Sequence, residues 1–259
     1  PNEKGFDINK WTWDRKKKSW TKPINIVATS KWLFGCAKSS SLMKNWPIHL
    51  IPYPIDIKKW KPINKLQAKK ILGINSKKKV ILFGAIGGTK DDRKGSHLLE
   101  EALIILRDSY FKTIENNIQI LIFGEARPKK FINNLQVDFL GSFKDDLSLR
   151  VIYSAADVMV VPSIQEAFGQ TASEAHACAT PVVGFKIGGL IDIVSHKETG
   201  YLADPYNTKS LAYGIKWTIE DEERNKKLSS QARLKAKKYW DSRIIAKKYI
   251  DAYHSALNI

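Results

Sequence analysis

Glu166 and Glu174 stand eight positions apart in "EAFGQTASEA" (166–175), shortly after the apolar run "DVMVVPS" (157–163). Between them lie small residues around Phe168 and Gly169. If a helix begins near Gly169, its unpaired backbone N–H groups and its dipole face the loop, and glycine lets an anion come close. Glu174 then lies about 7–8 Å further along the axis, at about 1.5 Å per residue. Carboxylates are poor partners for phosphate and good acceptors for paired sugar hydroxyls. Two of them flanking a helix end suit a ligand with a sugar, a diphosphate and a ribose in series, which is a nucleotide-sugar. The competing reading makes Glu166 a loop charge and Glu174 an exposed helix residue. With 26 acids in 259 residues the spacing also arises by chance.

A second element is "FGAIGGTKDDRKGSHLL" (83–99), an apolar strand end, a glycine-containing loop, then Arg93, Lys94 and Gly95 opening a helix. From a neighbouring strand end Lys94 can reach the same diphosphate and neutralise charge on a leaving nucleotide. A lysine or arginine at a helix start is also common without any such role. The chain has no GxxxxGK[ST] and no GxGxxG, so neither an NTPase nor a dinucleotide dehydrogenase gains support. It has no D-x-D triplet, and its five histidines have no ligand-spaced partners. No metal and no cofactor are expected, with Lys94 and Arg93 serving in place of a divalent cation.

These groups need a scaffold, and the chain supplies one. Short apolar segments, "INIVA" (24–28), "IHLI" (48–51), "KVILFGA" (79–85), "IQILIFGE" (118–125), "VDFLG" (137–141), "DVMVVP" (157–162), "PVVGF" (181–185) and "GYLA" (200–203), alternate with helical stretches. That order predicts an α/β fold, a Rossmann-like parallel sheet with helices on both faces. In "KGSHLLEEALIILRD" (94–108), Leu98, Leu99, Ala102, Leu103, Ile105 and Leu106 recur at about the helical period of 3.6 and mark a packing helix. In such a sheet ligands bind at the carboxyl ends of the strands, where both motifs fall.

The segment "IPYPIDIKKWKPIN" (51–64) holds three prolines and no helical period, so it reads as a linker. Four parts are expected: 1–52 as the tail of an N-terminal domain, 53–64 as linker, 65–240 as the ligand-binding domain, and 241–259 as a helix returning toward the first domain. The two cysteines, Cys36 and Cys178, form no pattern, and no apolar run reaches the roughly 18 residues that span a bilayer. A cytoplasmic protein is expected. A formal net charge of +17 implies an anionic partner, although lysines on solvated faces account for it equally well. "WTWDRKKKSW" (11–20) suits either an anionic membrane surface, as a peripheral contact, or packing of its tryptophans on its own domain, which is the favoured reading. No nucleic-acid-binding signature accompanies the charge.

Taken in order, "FGAIGGTKDDRKG", the stretch from "VDFLGSF" through "EAFGQTASEAHACATPVVGFKIGGLIDIV" to "GYL", and "IPYPID" resemble the retaining glycosyltransferases of family 4, of the two-domain GT-B type. The likeness runs over about residues 24–257. It implies a C-terminal donor-binding domain in which Glu166 contacts the donor sugar and supports an oxocarbenium-like transition state, with Glu174 on the ribose. It also implies that Lys94 and Arg93 bind the diphosphate and that Phe168, Gly169, Gln170 and Thr171 line the pocket. Gly84 at the first strand end is a further substrate-binding position, and the backbone near Ser142 and Phe143 borders the base. The chain departs from the family at Ala179, where glycine is frequent, at Tyr53 and Pro54, where the family has Asn-Gly, and in "GAIGGT", which lacks the arginine usual there. The resemblance implies transfer from a UDP- or GDP-sugar to a saccharide or lipid-linked acceptor in cell-surface polysaccharide synthesis, with little transfer by this chain alone. Its alternative is a non-catalytic nucleotide-sugar-binding half that needs a partner chain.

Overall fold

A computed structural model describes residues 5–84, 91–110, 117–124 and 137–257. The chain opens with α1 (Ile8–Ser19), β1 (Ile26–Ala28), α2 (Lys31–Ser39) and β2 (Ile48–Leu50). The two strands pair in parallel, with Val27 opposite His49, and α2 makes the crossover. Asp7 and Ser30 start the helices by accepting hydrogen bonds from first-turn N–H groups. Trp20 tilts against Trp46 at 5.8 Å. Trp11 and Trp13 stay exposed, with Arg15 and Lys17 over their rings at 4.6 and 5.0 Å.

The larger unit contains α3 (Lys65–Ile71), β3 (Lys79–Gly84), α4 (Ser96–Tyr110), β4 (Ile118–Phe123), β5 (Val137–Phe139), α5 (Asp146–Ala155) and β6 (Val158–Val161). It continues through α6 (Gln170–Ala177), β7 (Val182–Phe185), α7 (Leu190–Ile193), β8 (Gly200–Ala203), α8 (Thr208–Ile219), α9 (Glu222–Tyr239) and α10 (Ser242–Leu257). The six strands form one parallel sheet in the order β5-β4-β3-β6-β7-β8. Alternation along β3 divides the core: Val80 and Leu82 meet α5, α6 and α9, whereas Ile81 and Phe83 meet α4 and α8. The strand order reverses between β3 and β6, and the crevice this opens is at their carboxyl ends.

The expected strands are all present, most of them shorter by a residue or two at an end. β1 begins at Ile26, and β5 ends at Phe139 because the chain turns at Gly141, whose φ is 76°. Residues 85–90 and Glu125, which belonged to two expected strand ends and to "GAIGGT", lie outside the described residues. The helix expected from 94 begins instead at Ser96. Asp92–Lys94 form a separate 3-10 turn, and Gly95 breaks it at φ 69°. A Cβ at Gly95 would strike the Pro162 carbonyl oxygen, so this turn closes directly onto the loop after β6.

The proline-rich segment is packed along much of its length. Ile55, Ile57 and Trp60 are buried, Ile55 exchanges backbone hydrogen bonds with Trp240 and Ser242, and Arg233 donates to the carbonyls of Ile57, Trp60 and Ala177. Helix α10 lays Ile245 and Ala252 on Ile51. Among the described residues no helix is long and apolar enough to cross a membrane.

Candidate functional site

A cleft of about 600 Å³ opens at the carboxyl ends of β3, β4 and β6. Its floor is Gly84 and Phe123, and here glycine is required, because a Cβ at Gly84 would enter the Phe123 ring. Ser142 and Phe143 close one side, and Tyr53 reaches in from the other to meet buried Phe168 edge-on, at 5.3 Å and 87°.

Gly169 precedes α6 at φ 100°, and no side chain caps the helix. The first-turn N–H groups therefore remain available, and Gln170 and Thr171 line the cleft beside them. A Cβ at Gly169 would sit 2.9 Å from Leu190 in addition to its backbone cost. The loop carrying Glu166 is fastened from beneath: Gly189 N–H donates to the Glu166 carbonyl at 2.8 Å, and a Cβ at Gly188 would collide with that carbonyl. The "GG" of "KIGGL" thus seats the loop, a part that only the chain's return through α7 reveals.

Glu166 and Lys94, 72 residues apart, meet at 2.9 Å. Their side chains are 14% and 30% exposed, so the pair is sheltered yet open to a ligand. Ser163, itself buried, donates to the same Glu166 oxygen at 3.3 Å. Arg93 lies apart from them. Its guanidinium pairs with Asp91 at 2.8 Å and is 76% exposed, and it does not line the cleft. The 3-10 turn explains this, since consecutive residues there point in different directions while the Arg93 carbonyl accepts from Ile164 N–H at 2.8 Å. The diphosphate contact expected of Arg93 would require the guanidinium to leave Asp91.

At the other end of the cleft Glu174 accepts a hydrogen bond from Tyr153 at 2.9 Å. Burial is the main cause that pushes its carboxyl up to about 7, opposed by Tyr153 and Gln170. Glu174 is therefore a partly buried acid in the cleft wall, unlike the exposed helix residue of the competing reading. His176, in the last turn of α6, is a core residue whose ring stacks on Trp240, with burial holding it down to about 3. The arrangement places one sheltered cation, two carboxylates and a free helix N-terminus around a single space. That set suits an anion flanked by hydroxyl-bearing groups.

A family model described as glycosyl transferases group 1 matches residues 64–235. An uncharacterized glycosyltransferase of Methanocaldococcus jannaschii is 30% identical over 219 residues, which cover 80% of this chain and 53% of that protein. The chain spans about half the length of the curated relatives it matches. Sucrose-phosphate synthase of Thermosynechococcus elongatus superimposes with a TM-score of 0.79 at 25% identity, over 100% of this chain and 64% of that one. Anabaena HepE, solved in complex with UDP-glucose, superimposes with a TM-score of 0.70 at 22% identity, over 88% of this chain and 63% of that one.

Proposed function

The chain belongs to the group 1 glycosyl transferases, and on that premise we propose that its cleft binds a UDP- or GDP-sugar for retaining, metal-independent transfer to a saccharide or lipid-linked acceptor. One observation carries this reading: the Lys94–Glu166 pair and Glu174 flank the uncapped start of α6 within one cleft. The diphosphate lies at that helix end, where backbone N–H groups and Lys94 meet its charge. Glu166 faces the donor sugar and supports positive charge developing at the anomeric carbon. Glu174 accepts the ribose hydroxyls, while Ser142 and Phe143 border the base. The fold shared with HepE, which holds UDP-glucose, supports a UDP-sugar.

Residues 1–52 belong to the acceptor side in this proposal, 53–64 to the linker, 65–240 to the donor side, and 241–259 to the returning helix. The contact of α10 with Ile51 supports that division. Transfer by this chain alone is slow, since an acceptor must be held near the anomeric carbon with water excluded, and positioning supplies about 7–11 kcal/mol. The setting proposed is cell-surface polysaccharide synthesis at the inner face of the membrane. A thermal-shift screen of UDP-, GDP- and ADP-sugars tests the central claim, because a ligand that binds the native state raises its stability. A shift with UDP- or GDP-sugars is expected, and no shift with any of the three overturns the reading.

A further inference from the structure

Tyr153 lies in "LRVIYSAADV", a stretch with no chemical motif, and is fully buried beneath the cleft. Its ring has little freedom: Phe123 meets it edge-on at 5.7 Å and Trp60 lies at 6.1 Å. Its carbonyl accepts from Thr180 Oγ1 at 2.6 Å, which ties the end of α5 to the turn after α6. The phenol hydroxyl is thus fixed from three sides, and it donates to Glu174 Oε2. A buried tyrosine that satisfies its hydroxyl on a carboxylate lining a ligand cleft has a consequence beyond packing, because it fixes which oxygen of that carboxylate remains for the ligand.

We propose that Tyr153 is a positioning residue for nucleotide binding, holding the Glu174 carboxylate so that its free lone pairs meet the two ribose hydroxyls. This rests on the reading of the cleft given above. The groups that face Glu174 set the terms. Tyr153 and Asp146 approach from α5, Gln170 lies one turn earlier on its own helix, and Cys178 closes that helix. Burial and Asp146 favour the protonated acid, whereas Tyr153 and Gln170 favour the carboxylate. Protonation turns an acceptor of two hydroxyls into a group that is itself a donor. Nucleotide affinity therefore falls as pH drops through about 7, to which burial pushes this carboxyl up. Removing the phenol hydroxyl moves that fall to higher pH.

The experiment measures UDP affinity by calorimetry from about pH 5.5 to about pH 9 for the wild-type chain, Tyr153→Phe and Glu174→Gln. The wild type is expected to lose about tenfold in affinity per pH unit on the acid side. Tyr153→Phe, which keeps the ring and its packing, is expected to shift the break upward by about one pH unit. Its affinity should be about fivefold weaker at pH 7, and the gap should narrow at high pH to what the lost orientation alone costs. Glu174→Gln should be weak and flat. A Tyr153→Phe profile that coincides with the wild type at every pH overturns the proposal. A second measurement needs no ligand: carboxyl-carbon NMR follows the titration of Glu174 in both chains, and an unchanged midpoint in Tyr153→Phe also refutes the role. If Glu174→Gln binds UDP as the wild type does, it is the assignment of the cleft that fails, while the NMR titration still decides whether Tyr153 governs the carboxyl.

Discussion

Replacing Glu166 with glutamine should tighten the binding of UDP while reducing turnover of any UDP-sugar. The reason lies in the unliganded pair. Lys94 gives its charge to Glu166 across 2.9 Å, and a diphosphate must draw it away in the presence of a carboxylate only 14% exposed. UDP carries no donor sugar, so the Glu166 carboxylate offers it repulsion and nothing else. Two unit charges about 4 Å apart interact by about 4 kcal/mol at an effective dielectric of 20, and partial exposure of Lys94 discounts that to roughly 1–2 kcal/mol. Glutamine keeps the shape and can still accept from Ser163, so the expected gain in UDP affinity is about 5–30-fold. Calorimetry with UDP and with uridine at two salt concentrations measures it. The gain should appear for UDP alone and shrink at high salt. Unchanged or weaker UDP binding in a folded variant would refute the view that Glu166 and the diphosphate compete for Lys94.

Lys94→Ala is expected to weaken UDP by about 1.5–3 kcal/mol and leave uridine almost untouched; equal losses for both would place Lys94 outside the phosphate site. Ala179 adopts φ 59°, a left-handed conformation that costs an L-residue roughly 1–2 kcal/mol, so Ala179→Gly should raise stability by about 1 kcal/mol in urea unfolding after its greater unfolded-state entropy is deducted. A loss of stability would show that the strain is absent. Burial holds His176 down to about 3 in the folded chain, against its ordinary 6.5 when unfolded. The unfolded chain therefore binds the extra proton, and stability falls as pH drops from about 6.5 toward about 3, by up to 1.4 kcal/mol per unit. Unfolding curves of wild type and His176→Gln compared across that window should differ in slope, and parallel curves would show that His176 is protonated when folded.

The sheet was legible because its strands are continuous apolar runs, as "VILF" and "ILIF" are, and such runs need both faces covered. The site was legible where backbone dictates residue type: Gly169 demands its place, and Glu174 follows at a helical offset. Arg93 and Lys94 look equivalent in sequence, but a turn at Gly95 sends one to Asp91 and the other to Glu166. Spacing along the chain carries no signal for that. Nor could it show that Lys69, one of many lysines suited to a solvated face, is buried with Asp157 and the Lys78 carbonyl as partners. Ser163 and Tyr153 hold the carboxylates, and Gly188 the Glu166 backbone, through contacts that only the fold creates.

The proline-rich segment between the two units has a practical side for anyone dissecting the chain. Its composition advertises a protease site, yet the carbonyls of Ile57 and Trp60 are held by Arg233, and Ile55, Ile57 and Trp60 are inside. A protease must bind an extended, accessible stretch of backbone, and limited digestion should spare 55–60 until the molecule opens there. A fragment cut to begin at residue 65 would fare worse than its tidy boundary suggests. It would lose Trp60 from against Tyr153 and leave Arg233 with two of its three carbonyls gone, exposing an apolar floor that invites aggregation. The part of the chain that looks most like a tether behaves as a piece of the larger unit's wall.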